Sequence, residues 1–421
     1  MKVGFAKRNI TPPFGLELGG YAGYRPNSGV HDPLWCKAVL LEQDGVRYAL
    51  VVLDLMCADE SLCHRIGQEV AELGITQEHL VVAAIHSHAA SAGVFPGEGA
   101  LKRVNEAIVP ENPAFVPYME QVVQAAVDAC REAAGNAEAF TVRAAREMMP
   151  PIGSERHTGV PARGELTALQ MRTESGKKLI LYNLPCHPTV LSAANLQVSA
   201  DFAGSIEALL DADMAVFVNG AAGDISTRFT RREQSFAECE RMGNMVADRI
   251  RALLKNAPER QPQPLKGLHR CVQLKPRPVV SVETAQQQVE ETTLRWQQAV
   301  EAGEDAATVR ILKSYVEGAG VNLDFARTMG GIEAFHVPVT AFSFGSVNFV
   351  TVPGEFYSTL LPENTAAICY ANGYYRYIAD ENAYDSGHYE AMAAIVARGG
   401  GEYLQETIRQ MLEEIKQEEN L

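Results

Sequence analysis

Residues 37–54, KAVLLEQDGVRYALVVLD, contain two β-branched apolar runs, 37–43 and 46–54, joined by Asp44-Gly45. The Asp-Gly dipeptide suits a two-residue type I′ turn, in which both central residues take positive φ, and that turn joins antiparallel neighbours. Any sheet built on this hairpin is therefore not purely parallel. Elsewhere, 60–73 has helical spacing, 79–86 reads as a buried strand ending at a histidine, and 114–134 reads as a long amphipathic helix. Further strands are expected at 165–173, 178–184, 214–219, 266–274 and 335–352, with helices near 200–211, 233–255 and 402–418. This mixed order predicts an α/β chain of the α+β kind, a multi-layer domain with mixed β-sheets flanked by helices. Between about 282 and 318 two helices broken at Gly303, with Asp305 as an N-cap, form a helical hairpin insertion. Its apolar face is expected to run through Val289, Leu294, Trp296, Val300, Val309, Leu312 and Val316.

The 421 residues, 47% of them hydrophobic, suffice for two or three domains of ordinary size or for one large one. A formal charge of -15 argues against nucleic acid or an anionic membrane surface as partner, since both reward positive charge. The first residues, MKVGFAKRNITPP, lack the apolar core of a signal peptide, and no apolar stretch is long enough to span a bilayer. A cytoplasmic protein without stable membrane anchoring is therefore expected. Eight cysteines with no Cys-x-x-Cys pair are expected to be mostly buried, reduced thiols.

Four segments could carry chemistry. In IHSHAASAG (85–93), His86 and His88 follow a strand, and residues two apart in an extended chain share a face. The pair can serve one metal site or simply cap the strand. His187 ends another apolar run, in LPCHPTV, where Pro188 keeps it out of helical geometry. In VFVNGAAGDISTRF (216–229), Asp224 and Ser226 offer a carboxylate and a hydroxyl after a glycine break, or else form a turn. In VPGEFYSTLL (352–361), Glu355 can be a metal ligand, a general base or a helix-terminal glutamate. Residues 370–391 are dense in tyrosine. No Walker loop, nucleophile elbow, His-Glu-x-x-His helix or dinucleotide fingerprint occurs; the glycines of ARGGGEY (397–403) read as a turn between helices.

Taken in order, NITPPFGLELGGYAG (9–23), GVHDPLWCKAVLL (29–41), IHSHAASAG, CHPTVLSAANLQVSADFAG, NGAAGDIS, VPGEFYSTLL and YANGYYRYIADENAYDSGHYE closely resemble the neutral/alkaline, non-lysosomal ceramidase family. They look most like its short bacterial members with only the N-terminal catalytic domain, which implies a single catalytic domain over 1–421. The resemblance implies a zinc-dependent amidase of linear amides. It implies zinc held by His86, His187, Glu355 and Tyr377, with Tyr374 as the alternative tyrosine. It also implies catalytic roles for His88 facing Ser226, with Asp224 orienting an imidazole. The chain departs from the family where Ser226-Thr227-Arg228 replaces Ser-Pro-Asn and where His-Ser-His-Ala-Ala-Ser replaces His-Thr-His-Ser-Gly-Pro. The expected substrate is therefore a soluble, small N-acylated or sugar-like or lipid-like compound rather than ceramide. Other readings are a zinc hydrolase of an ester, carbamate or glycosidic bond, and a non-catalytic ligand-binding member. Homo-oligomer formation is compatible with each.

Overall fold

In the computed structural model, residues 1–97, 99–162, 164–344 and 347–419 are described. The Asp-Gly turn forms as its sequence dictates, with φ of 52° at Asp44 and 82° at Gly45. It joins β2 (Trp35–Gln43) to β3 (Val46–Leu53), antiparallel and in register from Gln43 opposite Val46 to Cys36 opposite Leu53. β1 (Lys2–Asn9) pairs antiparallel on the other side of β2, while β4 (Leu80–Ala84) adds parallel to β3.

A second group comprises β5 (Glu138–Met148), β6 (Glu165–Thr173), β7 (Lys178–Leu184) and β8 (Met214–Asn219). The whole sheet has the order β8-β7-β6-β5-β1-β2-β3-β4. Only two residue pairs, Lys2 with Ala139 and Val3 with Glu138, join β1 to β5. The sheet can therefore fold over at that seam, and β8 packs against β1, β3 and β4 of the other half. Helices cover the outer faces. α1 (Glu60–Val70) and α2 (Phe115–Gly135) lie on the first half, and α3 (Phe202–Leu209) and α4 (Phe236–Asn256) on the second. The result is a helix–sheet–sheet–helix sandwich, as the mixed pattern predicts.

α5 (Val282–Glu301) and α6 (Ala306–Thr328) form the expected hairpin, whose second helix runs ten residues beyond 318; Thr308 donates its backbone N–H to Asp305 Oδ1 at 3.0 Å. The contact face matches the expected one in part: Val289, Trp296, Val309, Leu312 and Val316 are half-buried, with Lys313 Nζ 4.1 Å from the Trp296 ring centroid, whereas Leu294 and Val300 are 55% and 49% exposed and Ala285 and Ala299 are buried. Four more strands, β9 (Lys266–Leu274), β10 (Phe335–Phe344), β11 (Val347–Val352) and β12 (Thr365–Cys369), form a separate four-stranded sheet backed by α7 (Gly400–Glu419). The apolar run 335–352 is thus two antiparallel strands; residues 345 and 346 lie outside the described ones.

Seven of the eight cysteines are buried and unpaired; Cys271, also unpaired, is exposed. Among the described residues no helix is long and apolar enough to cross a membrane. Three parallel pairs, β3 with β4, β7 with β8 and β11 with β12, contribute their C-terminal ends to one place. Loops beyond parallel strand ends are where such folds assemble sites.

Candidate metal centre

His86, His187 and Glu355 each lie two or three residues beyond one of those strand ends, and the backbone of Tyr377 pairs with that of Glu355. His86 follows β4 and is 2% exposed, with φ of 68°, a left-handed conformation costly for a residue with a Cβ. That turn lays its imidazole on Tyr370, ring centroids 4.1 Å apart and planes within 14°. Its Nδ1–H donates to the Met56 carbonyl at 2.7 Å. His187 follows β7, is 1% exposed, and donates from Nδ1 to the carbonyls of Ala222 at 2.7 Å and Ile225 at 3.1 Å. A carbonyl can only accept, so both Nδ1 atoms carry the hydrogen and both Nε2 lone pairs point inward.

Glu355 follows β11 and meets them there. Its Oε2 is 2.9 Å from His187 Nε2 and 3.5 Å from His86 Nε2. Burial alone would raise this carboxyl's pKa, yet positive charge at the facing His86 and His187 nitrogens, the place a bound cation would take, holds it well below the carboxylate range. Burial meanwhile lowers the pKa of His187, against its hydrogen bond to Glu355. Two nitrogen lone pairs and a carboxylate oxygen thus converge in a buried space, an arrangement that repels unless a cation lies among them. These donors are the nitrogen and oxygen types that zinc takes. The residues present fit a divalent metal.

His88 joins this group more closely than the sequence suggests, with Nε2 3.2 Å from His86 Nε2. The nitrogens of His86, His88 and His187 all lie within 4.8 Å of one another. His88 Nδ1 is buried without a partner, and burial followed by the two neighbouring imidazoles lowers its pKa well below the usual histidine value. Gly20, at φ of 84°, covers the ring, where a Cβ would fall 2.4 Å from His88 Cγ. Among the described residues no hydrogen bond joins His88 to Ser226. Ser226 Oγ instead accepts from the Arg228 backbone N–H at 3.4 Å, beside the backbone bridge from Ser226 to His187.

Asp224 also takes a different part from the one expected. Its carboxylate accepts from the Ser358 backbone N–H at 2.7 Å and from the Ser358 hydroxyl at 2.6 Å, so it orients a loop. Backbone carbonyls orient the imidazoles of His86 and His187.

The two tyrosines separate by their partners. Tyr374 donates its hydroxyl to Glu355 Oε1 at 2.7 Å and keeps its proton in doing so. Tyr377, whose backbone pairs with that of Glu355, accepts from Arg156 Nη1 at 3.0 Å. Burial raises both phenols, but at Tyr377 the guanidinium opposes the rise. Arg376 opposes the rise at Tyr374 as well, but from over the ring face at 5.6 Å from the centroid, whereas Arg156 donates directly to the Tyr377 phenol oxygen and so favours its ionised form more specifically.

Arg156 went unnoticed in the sequence because it lies in a short loop with no periodicity. Its guanidinium also pairs with Glu390 Oε1 at 3.1 Å, and His157 Nε2 lies 2.6 Å from Glu390 Oε2. A second cluster thereby forms from His157, His388 and Glu390. The His157 and His388 rings are stacked with centroids 3.6 Å apart and planes within 12°. Lone pairs lie in the ring planes, so these two point side by side and do not converge on one ion.

Glu390 is 1% exposed, and although burial would raise its pKa, Arg156 and His157 lower it to about 2. A depressed carboxyl pKa contributes stability that is present above about 4.5 and lost as pH falls towards 2. The full contribution is about 3 kcal/mol. Urea unfolding of wild type and Glu390→Gln should therefore give stability curves that converge between pH 4.5 and 2; a constant gap would contradict this assignment.

No family model and no curated protein matches the chain. Solved structures do. A neutral ceramidase from Pseudomonas aeruginosa superposes with a TM-score of 0.73 at 15% identity, over 97% of this chain and 73% of that one. A ceramidase complexed with C2 superposes with a TM-score of 0.71, also at 15% identity, over 100% of this chain and 75% of the other. At that identity the likeness is one of architecture, and it spans nearly the whole chain: this protein has the neutral ceramidase fold.

Proposed function

We propose that this protein is a zinc-dependent hydrolase that cleaves the N-acyl amide bond of a small molecule. The observation that carries the reading is the inward convergence of His86 Nε2 and His187 Nε2 on Glu355 Oε2, with both Nδ1 atoms tied to backbone carbonyls. His86, His187, Glu355 and Tyr377 are the proposed ligands. The similarity to structures described as ceramidases supports amide bonds as the target.

Zinc on such donors supplies Lewis acidity, lowering the pKa of water and polarising a carbonyl. The chain supplies the rest. Tyr374 holds the Glu355 carboxylate in place through its 2.7 Å hydrogen bond. His88 has its Nε2 beside the ligand imidazole and no competing partner at Nδ1, so it is placed to take a proton from water and pass it to the leaving amine. Ser226 presents a hydroxyl at the same strand ends, where it can donate to the carbonyl oxygen as negative charge grows there. Arg156, buried against Tyr377, adds a fixed positive charge on that side. The burial of these groups excludes bulk water, which strengthens each of these interactions.

The test is metal analysis together with hydrolysis of N-acyl amides and matched esters, before and after chelation. One equivalent of zinc and chelator-sensitive amide cleavage are expected. A zinc-loaded protein that cleaves the esters but none of the amides would sink the proposal. Ser226→Ala should retain its zinc and lose about a hundredfold in kcat, since it removes a hydrogen-bond donor rather than a ligand.

A further inference from the structure

Immediately after Ser226 the chain reads Thr227-Arg228-Phe229-Thr230-Arg231, bringing two cations to the rim of the centre. Arg228 and Arg231 are half-buried, and among the described residues neither has a carboxylate within ion-pairing distance. Arg228 donates from Nη1 to a single acceptor, the Arg156 carbonyl at 3.2 Å. Arg231 donates from Nη1 to the Thr189 carbonyl at 2.8 Å and the Thr227 hydroxyl at 3.2 Å. Arg25 shows what saturation looks like, with its guanidinium spread over four backbone carbonyls, those of Gly19, His88, Ala193 and Asn195. The rim arginines keep donors in reserve.

They also bracket the centre. Through Arg156, Arg228 adjoins the Tyr377 side. Arg231 acts on Tyr21, whose ring lies 4.7 Å from that of His88. Burial, then the positive charges of Arg156 and Arg310, pushes Arg228 down to about 10. The carboxylates that oppose this crowding are already engaged: Glu390 by Arg156 and His157, and Asp201 by the backbone N–H groups of Val190, Leu191 and Phe202. In a chain of net charge -15, uncompensated cations at this rim are a local reversal of sign.

We propose that the substrate carries an oxyanion, a carboxylate or a phosphate, close to its scissile amide, and that Arg228 and Arg231 receive it. Guanidinium forks match both groups with paired N–H donors. The inference rests on the amide-hydrolase reading and narrows it to acidic N-acyl compounds, such as an acylated amino acid or an acylated amino-alkyl phosphate.

The zinc-loaded full chain is assayed on three amides sharing one acyl chain: N-octanoylglycine, N-octanoyl-O-phosphoethanolamine and the neutral N-octanoylethanolamine. At least one acidic amide should exceed the neutral one by about tenfold in kcat/KM, the size of one charge-assisted hydrogen bond. Which acidic amide leads identifies the anion. In Arg228→Gln/Arg231→Gln, checked for wild-type circular dichroism, that preference should collapse mainly through KM, and added salt should erode it in wild type. A neutral amide cleaved as well as the acidic ones, or a double variant that keeps the preference, overturns the proposal. If no amide is cleaved, the hydrolase reading fails and calorimetric binding of N-octanoylglycine and N-octanoyl-O-phosphoethanolamine decides the anion site separately. Binding of either that weakens about tenfold or more in the double variant supports the site; binding of neither, or binding that the double variant does not weaken, overturns it.

Discussion

Glu355→Ala should purify as a folded protein with less than a tenth of the zinc of wild type, and its amide hydrolysis should fall by about a thousandfold or more. Among the described residues the carboxylate is the one formal negative charge facing the His86 and His187 nitrogens, so its removal leaves two imidazoles and the Tyr377 phenol to hold a dication. The variant also strips Tyr374 of its hydrogen-bond acceptor. Loss of zinc by collapse is distinguished by Tyr374→Phe, which keeps the carboxylate and should keep most of the metal while loosening its orientation, costing about ten- to a hundredfold in affinity. Mass spectrometry of the metal and equilibrium dialysis read both outcomes. Stoichiometric zinc in Glu355→Ala would remove Glu355 from the ligand set and leave the three histidines as the centre.

Lys37→Met should cost about 3–5 kcal/mol of folding free energy, a large share of the ordinary 5–15 kcal/mol. Lys37 on β2 is only 2% exposed, and its ammonium lies 2.8 Å from Asp54 Oδ1 and 2.7 Å from Glu207 Oε2. Burial would lower its pKa, but the two carboxylates raise it, so the lysine is charged within the fold. Methionine matches its volume and leaves two facing carboxylates with no cation. Glu207 belongs to α3 on the second half of the sheet, so this triad also ties one half of the sandwich to the other. Replacing all three residues by apolar ones of similar size should recover part of the loss, because no charge then remains buried. The recovery is incomplete, since Asp54 and Glu207 also accept the backbone N–H groups of Trp35 and Phe217. Urea midpoints of the two variants measure this; a single variant within about 1 kcal/mol of wild type would contradict it.

The triad illustrates what a linear reading passes over. Lys37 opens an apolar run and nothing local marks it, because its partners are supplied by a turn and by a helix far along the chain. β1 and β5 were likewise not anticipated. Basic residues interrupt both, and half of their definition comes from strands distant in sequence. The Asp-Gly hairpin was legible because its cause is local: two residues that tolerate positive φ, flanked by runs of β-branched side chains. His86, His187 and Glu355 were legible for a related reason, each standing just past an apolar run. Arg156 and Glu390 have no such frame, and their meaning lies in each other. In the α5–α6 hairpin the expected apolar face was legible in part, since Trp296 and Leu312 are half-buried while Leu294 and Val300 are largely exposed and the smaller Ala285 and Ala299 are buried.

Because the proposed ligands come from distant stretches of the chain and from two sheets, the centre is also a record of assembly. During synthesis His86 leaves the ribosome while most of the fold is unmade, and Glu355 and Tyr377 arrive only with the last part of the chain. No early intermediate holds the full donor set, so tight metal capture must follow docking of the four-stranded sheet. Refolding experiments with zinc present throughout should accordingly show the ion slowing unfolding far more than it speeds folding, making the cation a late lock on a structure that has already found its shape.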